Sequence, residues 1–443
     1  MKIAFAAGAR LNLMPPSSPR RVIFLNRFFY PDHAATSELL SDLAFALAQR
    51  GFSVTVIASR QDYETAATAF PPRDNINGVD IWRVWTSKRG RQRLVWRSLD
   101  YLTFYVAAAW RLWQLTRAGD IIVAKTDPPL LSIMVAPIAW LRRAHLVNWL
   151  QDIFPEVAEA LNVGGPLGRV AFRLMRPLRN WSLRSAETNV VVGEGMAARL
   201  EAQGISPERI RVIQNWSDGA LIAPIAARQS ELRKSWAPNS RFVVGYAGNL
   251  GRAHDVATIV EAMALLQARA IGPKDDIASK IMFVFVGGGA QRGKLEREVL
   301  KRRLTNVRLH PYQPRELLSE TLGLANLHLV SLNPELEGLI VPSKFYSIAA
   351  AGRPTLFIGA PDGEIARLID ETGCGFTVAP GDGKALMARI LQLATDPDLC
   401  ASMGAQAREA FEQHWDKSRA LAKWETVLNA VWLGGEEALT TRP

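Results

Sequence analysis

A chain of 443 residues, 48% hydrophobic and 21% charged, has the composition of a globular protein and exceeds what one hydrophobic core sustains, which predicts two domains. Two cysteines, Cys374 and Cys400, are too few for a disulfide framework or a cysteine metal cluster, so a reducing, cytoplasmic compartment is expected. The formal charge of +11 is uneven: residues 1–225 carry 27 Lys and Arg against 18 Asp and Glu (+9), and the remainder 26 against 24 (+2).

Residues 1–20 form a leader of uncertain status, whose apolar run from Ile3 to Ala7 is shorter than the core of a secretory signal. RVIFLN (Arg21 to Asn26) reads as a first strand, and Thr36 to Arg50 as a helix with Leu39, Leu43 and Leu47 on one face and Gly51 as its stop. SVTVIA (Ser53 to Ala58) is a second strand. Further strands are expected at Gly119 to Lys125, His145 to Leu150, Thr188 to Val192 and Ile210 to Asn215. Between Asp80 and Asp100 no acidic residue interrupts Lys88, Arg89, Arg91, Arg93 and Arg97, which run with Trp82, Trp85 and Trp96. That mixture suits either an anionic membrane surface or a solvated charged face. The helix-like segment Leu99 to Leu115 that follows has too short an uncharged run to span a bilayer. A second basic stretch sets Arg169, Arg173 and Arg176 on one helix face, with Arg179 and Arg184 beyond. No nucleic-acid-binding module accompanies the charge, so nucleic acid is not an expected partner.

A polar stretch near 217–238 reads as a linker to a second α/β unit. Strands are expected there at Arg241 to Asn249, Ile281 to Gly289, Asn306 to His310, Leu327 to Leu332 and Pro354 to Gly359. Strands alternating with amphipathic helices argue for parallel sheets covered on both faces, with ligands at the carboxyl ends of the strands. The expected organisation is therefore α/β with two doubly wound, Rossmann-like domains facing across a cleft: residues 21–225, residues 226–415, and a C-terminal helix in 416–443 that crosses back to the first domain.

Several features of the second unit favour phosphate. In VPSKFYSIAAAGRP (Val341 to Pro354), Pro342 is placed to open a helix and Gly352 to close it. Free N–H groups at such a start, the helix dipole and the charge of Lys344 together attract an anion. The alternative is an ordinary packed helix. Glycine clusters follow two strands, Gly248-Asn249-Leu250-Gly251 and Gly287-Gly288-Gly289, with Arg252 and His254 close behind the first. Neither cluster has the dinucleotide or P-loop pattern, which weakens hydride-transfer and NTPase readings. Both clusters also fit plain tight turns.

With these motifs in order (FYPDHAATSELLSDLAFALAQRGFSVTVI, NVVVGEGMAARLEAQGISPERIRVIQNWSD, YAGNLG, FVGGG, VPSK, AAAGRP), nearly the whole chain after residue 20 resembles the GT-B fold glycosyltransferases of the retaining family 4. It is most similar to the bacterial subgroup that builds capsule, O-antigen or colanic-acid-type polysaccharide. The resemblance implies a nucleotide-diphosphate sugar donor at Gly248, Asn249, Arg252, His254, Gly288 and Pro342, Ser343, Lys344, Ser347, with the diphosphate stabilised by helix dipole and cations and no cofactor or metal needed. It implies an acceptor such as a polyprenyl-diphosphate-linked saccharide at the cytoplasmic face of the inner membrane, with a deoxysugar of the fucose or N-acetylfucosamine kind as donor sugar. Two family glutamates, five residues before Gly352 and eight before that, are replaced by Ser347 and Leu339, and the usual Arg and Lys after the first donor-domain strand by Asn249 and His254. Glu337 is either a substitute carboxylate or a solvated loop residue.

WLQDIFPE places Gln151, Asp152 and Glu156 after a strand, in the loop where the resemblance puts acceptor-side polar residues. Asp152 is the candidate catalytic residue, accepting a hydrogen bond from the acceptor hydroxyl or stabilising positive charge on the sugar; a helix N-cap is the competing reading. His33 lines the same cleft or a simple turn. Asp127 is expected to cap the helix after it, and Asp396-Pro397-Asp398 reads as turn chemistry rather than a metal site. An epimerase acting on a nucleotide sugar, and a silent sugar-nucleotide-binding partner protein, are the alternatives to transfer.

Overall fold

The computed structural model describes residues 20–32, 35–61, 70–87, 94–271 and 277–440. The leader up to residue 19, His33, and the basic run from Lys88 to Arg93 lie outside the described residues. The strands in chain order are β1 (Arg21–Leu25), β2 (Ser53–Ser59), β3 (Arg73–Ile76), β4 (Val79–Val84), β5 (Ile121–Lys125), β6 (His145–Leu150), β7 (Thr188–Val191) and β8 (Ile210–Val212). They continue as β9 (Phe242–Ala247), β10 (Ile281–Val286), β11 (Val307–His310), β12 (Leu327–Ser331), β13 (Thr355–Ile358) and β14 (Gly375–Val378).

These form two sheets, one of order β3-β4-β2-β1-β5-β6-β7-β8 and one of order β11-β10-β9-β12-β13-β14. Every pairing is parallel except β3 with β4. Such strands carry helices on both faces, which explains why they are continuous apolar runs. The fold is the expected pair of Rossmann-like α/β domains. Three strands fall outside the sequence reading. β3 and β4 form an edge hairpin through Asn77 and Gly78, at φ 51° and 81°, the geometry an Asn-Gly turn favours; its alternating, charged strands lack the apolar signal of the rest. β14 is only four residues long and its GFTV is too short to stand out.

In the first domain the helix Ala35–Gln49 packs on one sheet face through Leu39, Leu43 and Leu47, all buried, and each such burial stabilises by about 1.5–3 kcal/mol. The final helix, Lys417–Thr440, lies on the same face, with Trp424 and Leu428 fully buried against first-domain strands. The other face is covered by helices Leu94–Leu115 and Leu131–Arg142, through Phe104, Ala108, Leu112, Val135 and Ala139. Asp127 does not form the expected cap: the latter helix begins after Leu130, in a left-handed conformation with no side-chain cap bond. Asp396, by contrast, caps the helix Pro397–Ala410 by accepting from the Leu399 amide at 2.9 Å.

The chain crosses between the domains twice, side by side. The Ser217 amide donates to Trp415 O (3.2 Å) and the Lys417 amide to Ser217 O (2.9 Å). Lys417 clamps the pair by donating to Asp42 (2.9 Å) and Asp218 (3.0 Å).

Candidate active site

The carboxyl ends of β9, β10 and β12 gather the second domain's candidates in one place. Their loops interlock: the Gly248 amide donates to Val286 O (2.8 Å) and the Leu250 amide to Gly288 O (2.7 Å). A Cβ on Gly287 would sit 2.3 Å from Gly248 O, so that glycine is required by loop packing. Gly248 itself, at φ 108°, has no neighbour within 4 Å of a built Cβ, and is the open point of the pair.

Lys344 is the first residue of the short helix Lys344–Ala350, with Ser343 before it and Gly352 beyond, in the left-handed conformation at φ 63°. Pro342 precedes the helix, whose start carries no side-chain cap. The Lys344 ammonium lies over the Tyr246 ring, 4.1 Å from its centroid, and donates to the Tyr246 hydroxyl. It also donates to Asn249 O (3.1 Å) and approaches His254 Nε2 (3.5 Å). None of these partners is a carboxylate. Burial lowers the Lys344 pKa from 10.5 to about 7, since a desolvated ammonium without a counter-charge favours its neutral form.

His254 is neither a surface histidine nor a second cation. Its Nδ1 lies 2.6 Å from Ser331 O, which only an Nδ1–H can satisfy. Nε2 is then left to accept from Lys344. Burial, with the Lys344 charge adding to it, lowers its pKa to about 3. Tyr246, which the sequence reading passed over as a strand residue, is the platform beneath both. Arg252 and Asn249 are exposed at the rim.

Ser347 faces away from this cluster. Its hydroxyl lies 2.7 Å from that of Ser217, in the interdomain crossing. Glu337 is half-buried and engaged: it accepts from the Glu364 amide at 2.8 Å, at the start of the helix Glu364–Thr372.

Across the cleft, the Asp152 backbone bridges to Ile340 and the Ile153 amide donates to Leu339 O at 3.0 Å. Asp152 is thus brought to the segment that leads into Pro342 and Lys344. It is no N-cap, because the next helix, Glu156–Ala160, starts after Pro155. Its carboxyl lines a small cavity of the first domain with Lys125, Thr126, Asn148 and Arg179. Oδ1 makes no hydrogen bond to a described residue. Burial raises its pKa to about 7, with a Thr126 hydrogen bond opposing and the Asp127 charge adding. Gln151 is half-buried beside it, its backbone N–H donating to Thr126 Oγ1 at 3.2 Å. Glu156 is committed elsewhere, held by Arg179 at 2.7 and 3.2 Å with Gln203 and Arg176 nearby. Behind the loop, Lys125 is completely buried over the Trp149 ring at 3.8 Å.

A second bridge joins the domains. Glu364, from the donor side, accepts from the amides of Glu194 (3.0 Å) and Gly195 (3.3 Å), at the start of helix Glu194–Ala202. That helix starts at Gly193, which has no side chain to cap it. Arg199 of the same helix donates to Glu337 O at 2.9 and 2.6 Å. The Gly-Glu-Gly at 193–195 was the available sign in the sequence, but its partner lies 170 residues on. Among the described residues no cluster of three metal-ligating side chains occurs.

Two such Rossmann-like domains facing across a cleft are the GT-B architecture. Residues 37–216 match the Glycosyl transferase 4-like domain and residues 228–410 match Glycosyl transferases group 1. The chain is a GT-B glycosyltransferase composed of these two domains. It is 29% identical over 351 residues to the "Probable glycosyltransferase WbjE" of Pseudomonas aeruginosa, covering 78% of this chain and 83% of that one. It is 24% identical over 329 residues to the "Putative colanic acid biosynthesis glycosyl transferase WcaI" of Escherichia coli K12, covering 73% and 76%. Among solved structures, that of WaaG, a glycosyltransferase involved in lipopolysaccharide biosynthesis, superposes with a TM-score of 0.67 at 16% identity, over 93% of this chain and 99% of that one. Anabaena HepE in complex with UDP-glucose gives 0.68 at 17%, over 93% and 99%.

Proposed function

We propose that the chain transfers a sugar, with retention, from a nucleotide-diphosphate sugar to a lipid-linked saccharide in the synthesis of a bacterial surface polysaccharide. The observation that carries this is the Lys344 cage: a cation fixed by a ring, a phenol, a carbonyl and a neutral imidazole, with no carboxylate among those partners. Such a group is matched by an incoming anion, and the negative charge that develops on a diphosphate leaving group is met by the Lys344 ammonium. HepE, of the same fold, is described bound to UDP and to UDP-glucose, which agrees with a nucleotide donor. WbjE and WcaI agree with a polysaccharide product, and the donor sugar is of the fucose type. In the transfer, the bond from the anomeric carbon to the diphosphate breaks, and a bond to the acceptor oxygen forms. Asp152, with a pKa near neutrality, is assigned the acceptor hydroxyl's proton. Gly248, Arg252 and Gly288 are assigned to the donor's remaining contacts, and Gln151 to the acceptor's.

Purified protein incubated with UDP-, GDP- and dTDP-sugars and bacterial lipid extract is expected to give a glycosylated lipid and free nucleotide diphosphate. Absence of both nucleotide binding and transfer across the panel would sink the reading. Product formed without acceptor would replace it by epimerisation.

A further inference from the structure

The outer layer of the first domain consists of three helices packed side by side, Leu94–Leu115, Leu131–Arg142 and Gly165–Ser185. A hydrogen bond between Ser132 and Ser182 (2.9 Å) joins the last two. Each helix turns one stripe to the sheet and a second, apolar one outward. On the first helix the outward stripe is Leu102, Val106, Trp110 and Trp113, at helical spacing, with Trp110 64% exposed. On the second it is Trp140 and Leu141, with Trp140 78% exposed. On the third it is Val170, Leu174, Leu178 and Trp181, with Leu174 69% exposed. Single exposed apolar residues are ordinary, but exposed apolar stripes on three neighbouring helices of one layer mark an interaction surface.

The charges on this layer choose the partner. Segments 101–119, 128–151 and 160–186 contain nine arginines and no acidic residue, although Arg176 and Arg179 are paired with Glu159 and Glu156 just before the third helix. Arg143, Arg169 and Arg173 are exposed and form no ion pair among the described residues. Tryptophan and leucine ringed by arginine fit the boundary between headgroups and acyl chains of an anionic bilayer. No described helix is long and apolar enough to cross a membrane, so contact is with the surface.

We propose that this three-helix face docks the enzyme on anionic phospholipid bilayers. In the sheet's right-handed crossovers the helices start at the strand ends that hold the site, so Leu102 and Val170 lie toward Asp152 and the patch leads a lipid-linked acceptor to the cleft. The inference deepens the proposed function and rests on its lipid-linked acceptor for its purpose.

Flotation of the full chain with phosphatidylcholine vesicles, with and without about a third phosphatidylglycerol, tests it, with UDP and GDP thermal shifts run in parallel. The expected result is binding to the anionic vesicles. It should fall on the order of tenfold or more in a Trp110→Ser, Leu174→Ser, Trp181→Ser variant at any salt concentration. An Arg169→Ser, Arg173→Ser variant should lose a similar factor at low salt and much less at high salt. All five positions are exposed, so the melting temperature should hold, and Val106→Ser with Leu178→Ser serves as a second variant. Wild-type protein that stays with the soluble fraction, or an apolar variant that floats like wild type, overturns the proposal. So does a wild-type dimer that dissociates in the variant without any vesicle binding, which would assign the face to a second copy. Vesicle binding without any nucleotide shift would sink the proposed function while leaving this surface standing.

Discussion

Lys344 shows how a single side chain becomes specific through its surroundings. An ammonium held near neutrality must gain a proton to meet a diphosphate, so binding at pH 8 should draw protons from the buffer. Calorimetry of UDP or GDP binding in buffers of different ionisation enthalpy is the check. Affinity should be flat below pH 7 and fall as pH rises above it, because the free protein then loses the proton that the complex keeps. Lys344→Met should weaken nucleotide binding by on the order of tenfold or more, while Lys344→Arg, too long and planar for the Tyr246 cage, should recover little. Asp152 gives a second pH signature. Its folded pKa of about 7 is raised above the ordinary 3.8. The protonated form therefore contributes stability that is present below about pH 4 and lost as pH climbs through 7. Asp152→Asn should flatten that decline in a urea-denaturation series at pH 4 to 8, and should abolish transfer.

Among elements, the helix Glu194–Ala202 depends on the other domain. It lacks a cap of its own and takes one from Glu364, a buried carboxylate of the other domain. Losing a charged cap and stranding two amides costs about 1–3 kcal/mol. Glu364→Ala should lower stability by that amount, and Glu364→Gln by less, since an amide oxygen still accepts; equal effects of the two would mean that the contact is only packing. The element order, most strand positions and the helix faces were legible in the sequence, because parallel strands and their helices are encoded by local apolar periodicity. The hairpin at Asn77-Gly78 and the short β14 were not, since neither buries enough to show that signal. The same limit applied to site residues. Lys344, Asn249 and His254 stand near recognisable glycine and proline punctuation, whereas Glu364 acts through an amide 170 residues away and Tyr246 through a ring that reads as core.

The molecule as a whole is held at its paired crossings and by its last helix. Trp424 is fully buried, its ring 4.7 Å from that of Trp149, in a core that also receives Trp216. Trp424→Ala should cost about 3–5 kcal/mol, measured by denaturant titration, and should loosen the domain pair, because the helix that carries it begins at the crossing. Ser347 adds to this scale: where the sequence suggests a lost sugar-binding carboxylate, the structure places a hydroxyl against Ser217 of the crossing. Position 347 therefore serves the joint between domains, not the cage of Lys344.

Local patterning alone decided the two-domain α/β architecture, the location of the candidate anion-binding segment and the basic bias of the first half, since apolar period, glycine and proline placement and charge are properties of short stretches. Only the tertiary structure decided that His254 is a neutral prop for Lys344, that Glu156 is spent on Arg179 and that the Asp152 carboxyl is desolvated. It likewise decided that three neighbouring helices each turn apolar residues outward. Desolvation, counter-charge and surface continuity depend on which residues from distant segments meet, and periodicity within one segment carries no record of that.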